Sequence, residues 1–535
     1  MVPERSEALD RSEAGRNRVI GAAALMVTSI GLSRIVGLVR MKVFATWYGA
    51  SPETDAFVMA FSLPDLVFLL VGGGVVASAF IPYFTERYQR GEERQAWHTF
   101  SALLGVIGGS LGLLLLGLYV VAPYAIPVIV SKLDPSVHSL CVQLARIMLW
   151  GQFFMFFGGL SMGALNARHH YLAPAMGPIL YNLSIIGGIV FFGKEIGLQA
   201  AAWSVLVGAL VGNMLLQVPA LVRIGARFEL TFDTKDEGLR RVLLFMVPVI
   251  FSLCIIHIDT LISKVLATGD PRQGAATCLE NAYRLAMVPV GMFAMGAGVA
   301  ALPTLSENVA RGELDTYVDH LSLSLRTVLF LTIPTIAMLG VLGLPIVRAV
   351  YEGGQFTDSD SRFTATILLA FAAGIVGLAG QQFLPRAFYA LNDSRTPCII
   401  GAASVGLHVV LAVSMFPVLG TVGCALATSI SSTAAFATML VALRRRVGRI
   451  DGRRILTSAG RVILATGIAA GAAYCVWLSM SRGEPPGTTH ERLVQAGLPL
   501  LVGGCLFCLL VPLLRIDEGM AFGRVLMRRM RRAPA

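Results

Sequence analysis

The stretch GLSRIVGLVRMKVF, residues 31–44, combines an apolar run with three cations, Arg34, Arg40 and Lys42. It lies in a hydrophobic segment long enough to cross a bilayer, since about 20 helical residues span the hydrocarbon core. A cation at the centre of such a helix costs roughly 2.5–3.5 kcal/mol on insertion scales. The stretch therefore predicts a membrane helix that keeps costly charges for a purpose.

Composition extends this prediction to the whole chain. Of its 535 residues, 55% are hydrophobic and 14% are charged, whereas soluble domains average about 45–50% and 25%. Apolar runs of membrane-spanning length recur from end to end. The first run, of about 25 residues, exceeds a signal-peptide core of roughly 7–15, so we interpret it as an uncleaved span. The chain is predicted to be an all-α polytopic membrane protein, not a soluble enzyme.

Hydropathy predicts fourteen transmembrane helices, and the basic residues predict their orientation. Twenty-nine Lys and Arg residues fall in the two tails and one alternating set of loops, against eight in the other set. Basic loops favour the cytoplasm, so both termini are predicted to be cytoplasmic. The predicted spans are 19–45, 57–82, 99–122, 140–165, 171–193, 197–222, 241–266, 281–305, 320–343, 364–390, 397–417, 419–443, 456–479 and 493–514.

The same bias explains most of the net charge of +11. Topogenic charge is a simpler explanation than nucleic-acid binding, which we do not expect. The C-terminal MRRMRRAPA, residues 527–535, is interpreted as a topogenic tail. Binding of anionic lipid head groups is its alternative interpretation.

Two pairs of motifs indicate an internal repeat. IPYFTERYQRGE (81–92) and LPTLSENVARGE (302–313) share Pro, Glu, Arg, Gly and Glu at the same offsets, and ALNARHHYLAP (164–174) resembles ALNDSRTP (390–397). The separations correspond to six spans, so spans 1–6 and 7–12 are predicted to be parallel copies around a central cavity, a common transporter plan. A duplication without transport is the alternative.

The predicted organisation follows from this repeat. It comprises a cytoplasmic N-terminal tail (1–18), an N-lobe (19–222), a C-lobe (223–443), a basic cytoplasmic loop (444–455), two appended spans (456–514) and a basic cytoplasmic tail (515–535).

The intramembrane arginines predict an anionic ligand. Arg40 lies about 9 Å along the helix axis from Arg34, and Arg284 lies near the start of span 8. The planar guanidinium forms paired hydrogen bonds with phosphate oxygens. The alternative is that these cations pair with carboxylates such as Asp55 and Glu280 or reach the interface, which we prefer for Lys42.

Intramembrane carboxylates are fewer and suggest coupling. Asp259 lies mid-span beside His257, and Asp65 follows a proline in span 2. A membrane carboxylate can bind a coupling cation or carry a proton, and pairing of Asp259 with Lys264 is the alternative. We expect no cofactor or metal, because the sequence has no Walker motif and its one CxxC pair lacks a second ligand pair.

At these positions the sequence resembles the MurJ (MviN) family, the lipid II flippases of the multidrug/oligosaccharidyl-lipid/polysaccharide exporter superfamily. The resemblance implies two six-helix lobes around a cationic cavity and a groove for the polyprenyl tail at 456–514. The segments that carry it are SRIVGLVR (33–40), TDAFVMAFSLPDL (54–66), SAFIPYFTERYQRGE (78–92), ALNARHHYLAPA (164–175), AYRLAMVPVG (282–291), LPTLSENVARGE (302–313), EGGQFT (352–357) and FYALNDSRTP (388–397).

The resemblance also implies a function. Arg34, Arg40 and Arg284 match the family's cavity arginines, and Asp55 matches its acidic residue after span 1, so the resemblance implies that these four residues bind the substrate. The implied activity is alternating-access transfer of lipid II across the bacterial cytoplasmic membrane in peptidoglycan synthesis, driven by membrane potential, Na⁺ or H⁺, with cell-wall synthesis proteins as expected partners. There are two alternatives: the cargo is another polyprenyl-diphosphate glycan, or the protein is a membrane scaffold that does not transport.

Four positions depart from the family pattern. Met41, Phe68, Gly73 and Met287 stand where related flippases often carry charged residues, so the predicted cavity is less charged in both signs. Family members with a sodium site draw its ligands from spans 7, 11 and 12, where Asp259 is the one acidic candidate.

Overall fold

The computed structural model describes residues 28–29, 31–68, 75–481 and 487–521. Within these ranges, the side chains of residues 75–79, 245 and 247–258 lie outside the description. The described backbone is helical apart from short loops and one isolated bridge between Gly353 and Phe356, and it contains no strand. The predicted all-α fold is confirmed.

The chain divides into two compact units, residues 1–257 and 258–535. A π-helical turn, Leu210–Leu215, joins two helices of unit 1, and the last helix of this unit continues across the boundary. The helices of unit 1 are α1 (31–48), α2 (Pro52–Val67), α3 (Val75–Gln89), α4 (Glu93–Ile129), α5 (His138–Leu149), α6 (Gly151–Ala167), α7 (Leu172–Ile196), α8 (Leu198–Ala209), α9 (Gln217–Arg223) and α10 (Glu237–Ala267).

Unit 2 begins in the second half of α10. A second π-helical turn, Val290–Ala294, joins its first two complete helices. These and the later helices are α11 (Ala275–Pro289), α12 (Met295–Ala310), α13 (Leu314–Val341), α14 (Gly343–Val350), α15 (Asp358–Ala372), α16 (Ile375–Ala390), α17 (Arg395–Val447), α18 (Gly452–Met480) and α19 (Thr489–Leu513).

Many helices are built to cross a membrane. Among the described residues, nine are long and apolar enough, or ten if α15 and α16, bent by 49°, form one span. α17 covers two predicted spans, 397–417 and 419–443. The multispan architecture is confirmed, while the count of fourteen, the six-helix repeat and the domain boundaries stay predictions.

One glycine separates the two arms of α17. Gly420 has φ 56° and ψ −142°, a conformation that side chains bearing a Cβ disfavour. The second arm starts at Thr421, whose backbone N and Oγ1 donate to Asp270 Oδ2 at 2.8 and 2.7 Å. A Cβ at position 420 would lie 2.6 Å from the same oxygen. The Asp270 carboxylate therefore caps the start of the second arm, and it leaves room only for glycine at position 420.

The first pair of repeated motifs folds alike in both units. α3 and α12 each end in a glycine with positive φ, Gly91 at 77° and Gly312 at 75°. In each copy the glutamate that follows donates its N–H to the carbonyl five residues earlier, at 3.0 Å for Glu92 and 2.9 Å for Glu313. This is the Schellman helix end, so the shared Gly-Glu encodes the same turn twice.

Aromatic packing fixes the α3–α4 hairpin of unit 1. Phe84 and Trp97 are buried, and their ring centroids lie 5.1 Å apart. Phe80 and Phe100 are also buried and extend the cluster at a centroid separation of 5.9 Å. Edge-to-face and tilted aromatic pairs of this kind add to the packing energy of a helix interface.

In unit 2, α18 and α19 pack on α13 through small residues. Ala465, Ala469 and Ala473 are buried on α18, one helical turn apart. On α19, a Cβ at Gly503 would lie 2.5 Å from Met338 Cε of α13. Small residues let membrane helices approach closely, and Ile468 beside this alanine face is exposed.

Replacing Gly420 with alanine is expected to destabilise unit 2. The strained backbone alone costs about 1–3 kcal/mol, and the new Cβ would crowd the Asp270 carboxylate. Gly406→Ala is the matched control, because that glycine lies in the same α17 helix and a Cβ added there would meet no atom within 4 Å. Thermal unfolding in detergent should show a lower melting temperature for Gly420→Ala only. Equal melting temperatures would contradict the role assigned to this break.

Candidate functional site

The α1 helix carries the two predicted cavity arginines of unit 1. Next to its start, Ser29 Oγ donates to the Ala175 carbonyl at 2.5 Å, and at its end the Tyr48 hydroxyl donates to the Gly197 carbonyl at 2.9 Å. These bonds attach both ends of the segment to the region of α7 and α8. Arg34 is exposed and Arg40 is half-buried. The helix thus presents cations from a position fixed within its own unit.

Arg34 lies in an apolar setting. Leu32, Ile35 and Val39 beside it are all exposed, and no carboxylate of the described residues lies within the 4 Å ion-pair distance of Arg34. The α1 helix runs unbroken through Gly37. A guanidinium in this setting needs water or an anionic group to satisfy its donors.

Asp55 lies at the start of α2, behind a well-capped helix end. Ser51 Oγ accepts from the Thr54 backbone N at 3.3 Å, and Thr54 Oγ1 caps the Ser51 backbone N at 2.8 Å. Asp55 itself is only 3% exposed. A carboxylate near a helix N-terminus is stabilised by the helix dipole. Its burial and sign suit support of neighbouring groups better than contact with an anion.

Arg284 forms part of a three-residue ion cluster in unit 2. Its Nε lies 2.6 Å from Glu280 Oε1, and the other oxygen of Glu280 lies 3.1 Å from Lys264 Nζ. The predicted alternative, carboxylate pairing of Arg284, is thus present. However, two cations share one carboxylate, so the cluster keeps one excess positive charge. The Arg284 side chain remains 38% exposed.

The Asp259 carboxylate faces a buried histidine rather than the lysine considered from the sequence. Its Oδ1 lies 3.5 Å from His408 Nδ1, while Lys264 pairs with Glu280. The expected alternative of an Asp259–Lys264 pair is wrong, because Lys264 forms its ion pair with Glu280, about one turn into α11. Asp259 Oδ1 is buried and forms no hydrogen bond with any described residue.

Hydroxyl groups complete this polar cluster. His408 Nε2 lies 2.9 Å from Ser263 Oγ, and His408 Nδ1 lies 3.3 Å from Thr428 Oγ1. The side chains come from α10 and from both arms of α17, and His408 is only 1% exposed. A carboxylate, an imidazole and two hydroxyls in one apolar helix bundle can hold a proton or a cation by chemistry alone.

Sequence reasoning missed His408, Ser263 and Thr428. It considered His257, which lies two residues before Asp259. The side chain of His257 lies outside the described residues. The usable signal was the histidine in GLHVV, residues 406–410, at the middle of an apolar span. Its partner could not be read from the sequence, because 145 residues separate it from Ser263.

Three of the four residues that depart from the family pattern are described by the structure, and all three are apolar. Met41 and Met287 are half-buried, and Phe68 is exposed at the end of α2. Gly73 lies outside the described residues.

Comparison with known proteins identifies relatives over most of the chain. The family model described as lipid II flippase MurJ matches residues 44–489. A probable lipid II flippase MurJ of Rhizobium tropici is 28% identical over 94% of this chain and 95% of its own. The lipid II flippase MurJ of Burkholderia cenocepacia is 27% identical over 78% of this chain and 82% of its own.

Solved structures show the same fold. A lipid II flippase MurJ in an inward closed conformation matches with a TM-score of 0.76 and 22% identity, over 92% of this chain and 99% of that one. An inward-facing multidrug resistance MATE family transporter of the MOP superfamily matches with a TM-score of 0.64 and 16% identity, over 80% and 99%. At these identities the likeness establishes architecture alone.

The Glu280 cluster predicts a stability effect. Glu280→Gln would leave Lys264 and Arg284 facing each other without a counter-charge, at a cost of roughly 3 kcal/mol, the low end for a broken buried pair because Arg284 is partly exposed. Glu307→Gln is the control, since Glu307 and Arg311 form the same i,i+4 pair on the surface, worth at most about 0.5 kcal/mol. Melting temperatures in detergent should fall for Glu280→Gln alone; a similar small change in both variants would contradict the cluster's role.

Proposed function

We propose a function from one premise: the chain belongs to the lipid II flippase MurJ family. It is a multi-pass membrane transporter of lipid II and not an enzyme. The family expected from the sequence motifs is thereby confirmed. Within that family, the chain's own residues indicate how the transfer is carried out.

Arg34, Arg40 and Arg284 bind the diphosphate of lipid II during transport. The exposed guanidinium of Arg34 and the excess charge around Arg284 support this assignment. Arginine pairs two donors with phosphate oxygens, and such charge-assisted bonds are stronger than neutral ones. Because the cargo must also be released, partial neutralisation by Glu280 suits a carrier better than an uncompensated charge would.

Asp55 acts as a positioning residue. Its burial and negative charge argue against direct contact with a diphosphate, which it would repel. Its place in the first turn of α2, where the helix dipole stabilises a negative charge, supports a role in fixing this helix end.

The transfer follows alternating access: the cavity opens first to the cytoplasm and then to the outside, while the lipid tail stays in the bilayer. The sugar-diphosphate head group moves from the cytoplasmic to the outer leaflet, while the polyprenyl chain follows apolar helix surface. Ile468 of α18, together with Leu501 and Leu509 of α19, offers such a surface, since each is exposed. The chain resides in the bacterial inner membrane with both termini in the cytoplasm. Cell-wall synthesis proteins that make and use lipid II are its expected partners.

A proton resets the cycle through Asp259 and His408. A carboxylate 3.5 Å from an imidazole, with hydroxyls on both ring nitrogens, supports proton exchange. Na⁺ prefers oxygen ligands, and the imidazole occupies the place beside Asp259 Oδ1 where further oxygens would be needed. The sodium alternative therefore has weaker support in this chain than in family members with a known site.

A second candidate cargo is another polyprenyl-diphosphate glycan. The apolar Phe68, Met41 and Met287 support it, because they change the cavity at positions where related flippases often carry charge. The diphosphate chemistry is shared, so only the sugar differs between the two candidates. A scaffold without transport is disfavoured by the retained arginines.

Alanine at each cavity arginine should reduce lipid II transfer. The test is rescue of a bacterium depleted of its own flippase, with lipid II measured on the outer leaflet at matched expression. Loss of one charge-assisted contact of about 1.5–3 kcal/mol predicts roughly tenfold or greater loss for Arg34→Ala, Arg40→Ala and Arg284→Ala. Arg311→Ala, at an exposed helix end, should rescue fully.

No rescue by a well-expressed parent chain would favour the other glycan cargo. Rescue by the parent and by all three variants alike would refute the assigned role of the arginines.

The coupling assignment predicts dependence on a proton gradient. In proteoliposomes, lipid II transfer by the parent should respond to an imposed pH difference and not to a Na⁺ difference. Asp259→Asn should remove that response while keeping lipid II binding, because the change touches the relay and not the arginines. Ser414→Ala, an exposed hydroxyl on the same α17 arm as His408, is the control. A response to Na⁺ that Asp259→Asn abolishes would instead identify a sodium site.

A further inference from the structure

A second cationic site lies in unit 2 and contains none of the arginines assigned to lipid II. A cavity of about 970 Å³ forms where α13, the end of α17, the start of α18 and the segment after α19 come together. Seven arginines and three carboxylates line it, which leaves four excess positive charges. By the charge pattern, this end of the helices is the predicted cytoplasmic end. Such a concentration of guanidinium groups calls for an anion.

The floor of the cavity is a buried charged network. Arg326 Nη1 of α13 lies 2.5 Å from Glu518 Oε1, and Ser458 Oγ donates to Glu518 Oε2 at 2.9 Å. Arg326 is 8% exposed, and its Nε has no hydrogen-bond partner among the described residues. A buried guanidinium N–H without an acceptor is costly. The floor therefore holds a buried guanidinium whose hydrogen bonds are incompletely satisfied, beneath the exposed arginines of the rim.

The rim of the cavity supplies cations that are not neutralised. Arg453 and Arg454 occupy the first turn of α18, after a turn formed by Gly448 at φ 81° and Asp451 at φ 49°. Both arginines are exposed, and no described carboxylate lies within ion-pair distance of either. The Asp451 side chain makes no capping bond to the helix, so the positive end of the helix dipole adds to their field.

The position of the rim distinguishes a lipid from a soluble anion. Leu456 lines the cavity and is 74% exposed. Ile463 and Leu464 continue an exposed apolar surface along α18, and Leu513 does so at the end of α19. A soluble phosphate compound gains nothing from these side chains, whereas acyl chains would cover them.

We propose that this cavity binds the phosphate head group of an anionic phospholipid, with the acyl chains on the exposed face of α18. Phosphate oxygens would meet Arg453 and Arg454 at the rim, above the buried Arg326–Glu518 pair. The bound lipid would connect α13, α17 and α18, so it should stabilise the folded protein by mass action. The head-group site uses none of the arginines assigned to the diphosphate of lipid II, while both lipids would place apolar chains along α18.

The test uses the full chain in nanodiscs of phosphatidylcholine with or without phosphatidylglycerol. Retained phosphatidylglycerol is counted by native mass spectrometry, and melting temperature is recorded in both lipids. The variant Arg453→Gln/Arg454→Gln should retain roughly tenfold less phosphatidylglycerol and lose the lipid-dependent rise in melting temperature. The control Arg223→Gln/Arg240→Gln removes two exposed charges of unit 1 outside the cavity and should behave like the parent.

Three results would overturn the proposal. Equal loss in both double variants would indicate diffuse surface attraction, and no preference of the parent for phosphatidylglycerol would remove the site. Stabilisation by inorganic pyrophosphate in pure phosphatidylcholine, with no added effect of phosphatidylglycerol, would assign the cavity to a soluble phosphate. If the double variant melts below the parent in pure phosphatidylcholine, the single variant Arg454→Gln decides, with an intermediate loss expected.

Discussion

The cost of holding charge in a hydrocarbon layer is the constraint on which this structure depends. Each intramembrane ion must find a counter-ion, water or a ligand, because the bilayer supplies none. The two units of the chain satisfy this requirement in different ways. Unit 2 shares Glu280 between Lys264 and Arg284, whereas unit 1 leaves Arg34 exposed on α1. The partly compensated Arg284 and the exposed Arg34 are suited to attract a diphosphate and still release it.

The same constraint explains the interruption of α17. A spanning helix that ends inside the protein must satisfy its first N–H groups, and Asp270 does this for the arm that begins at Thr421. The break at Gly420 lets two arms of α17 converge on one cluster, where Thr428 contacts His408 and His408 faces Asp259. A local backbone conformation that only glycine tolerates is thereby linked to the proposed site of coupling.

Local and periodic features could be predicted from the sequence, whereas long-range side-chain partners could not. The length of the apolar runs predicted the helices, and the repeated Arg-Gly-Glu encodes the same Schellman turn at Gly91 and Gly312. The Arg284–Glu280 pair could be anticipated as the alternative, because Glu280 lies four residues before Arg284 on the same helix face. By contrast, Asp259 faces His408 across 149 residues of chain, and Asp270 caps Thr421 across 151. Such pairs depend on how helices pack, which hydropathy does not encode.

The intramembrane arginines are kept, we infer, for an anionic lipid cargo. The decisive measurement is binding of purified protein to lipid II and to undecaprenol, the uncharged lipid alcohol, in neutral nanodiscs at two salt concentrations. We expect the parent to prefer lipid II, salt to weaken this preference, and Arg34→Gln/Arg284→Gln to remove it while undecaprenol binding is unchanged. Equal lipid II binding by the parent and this variant would contradict the inference, because the charges would then serve the fold and not the cargo.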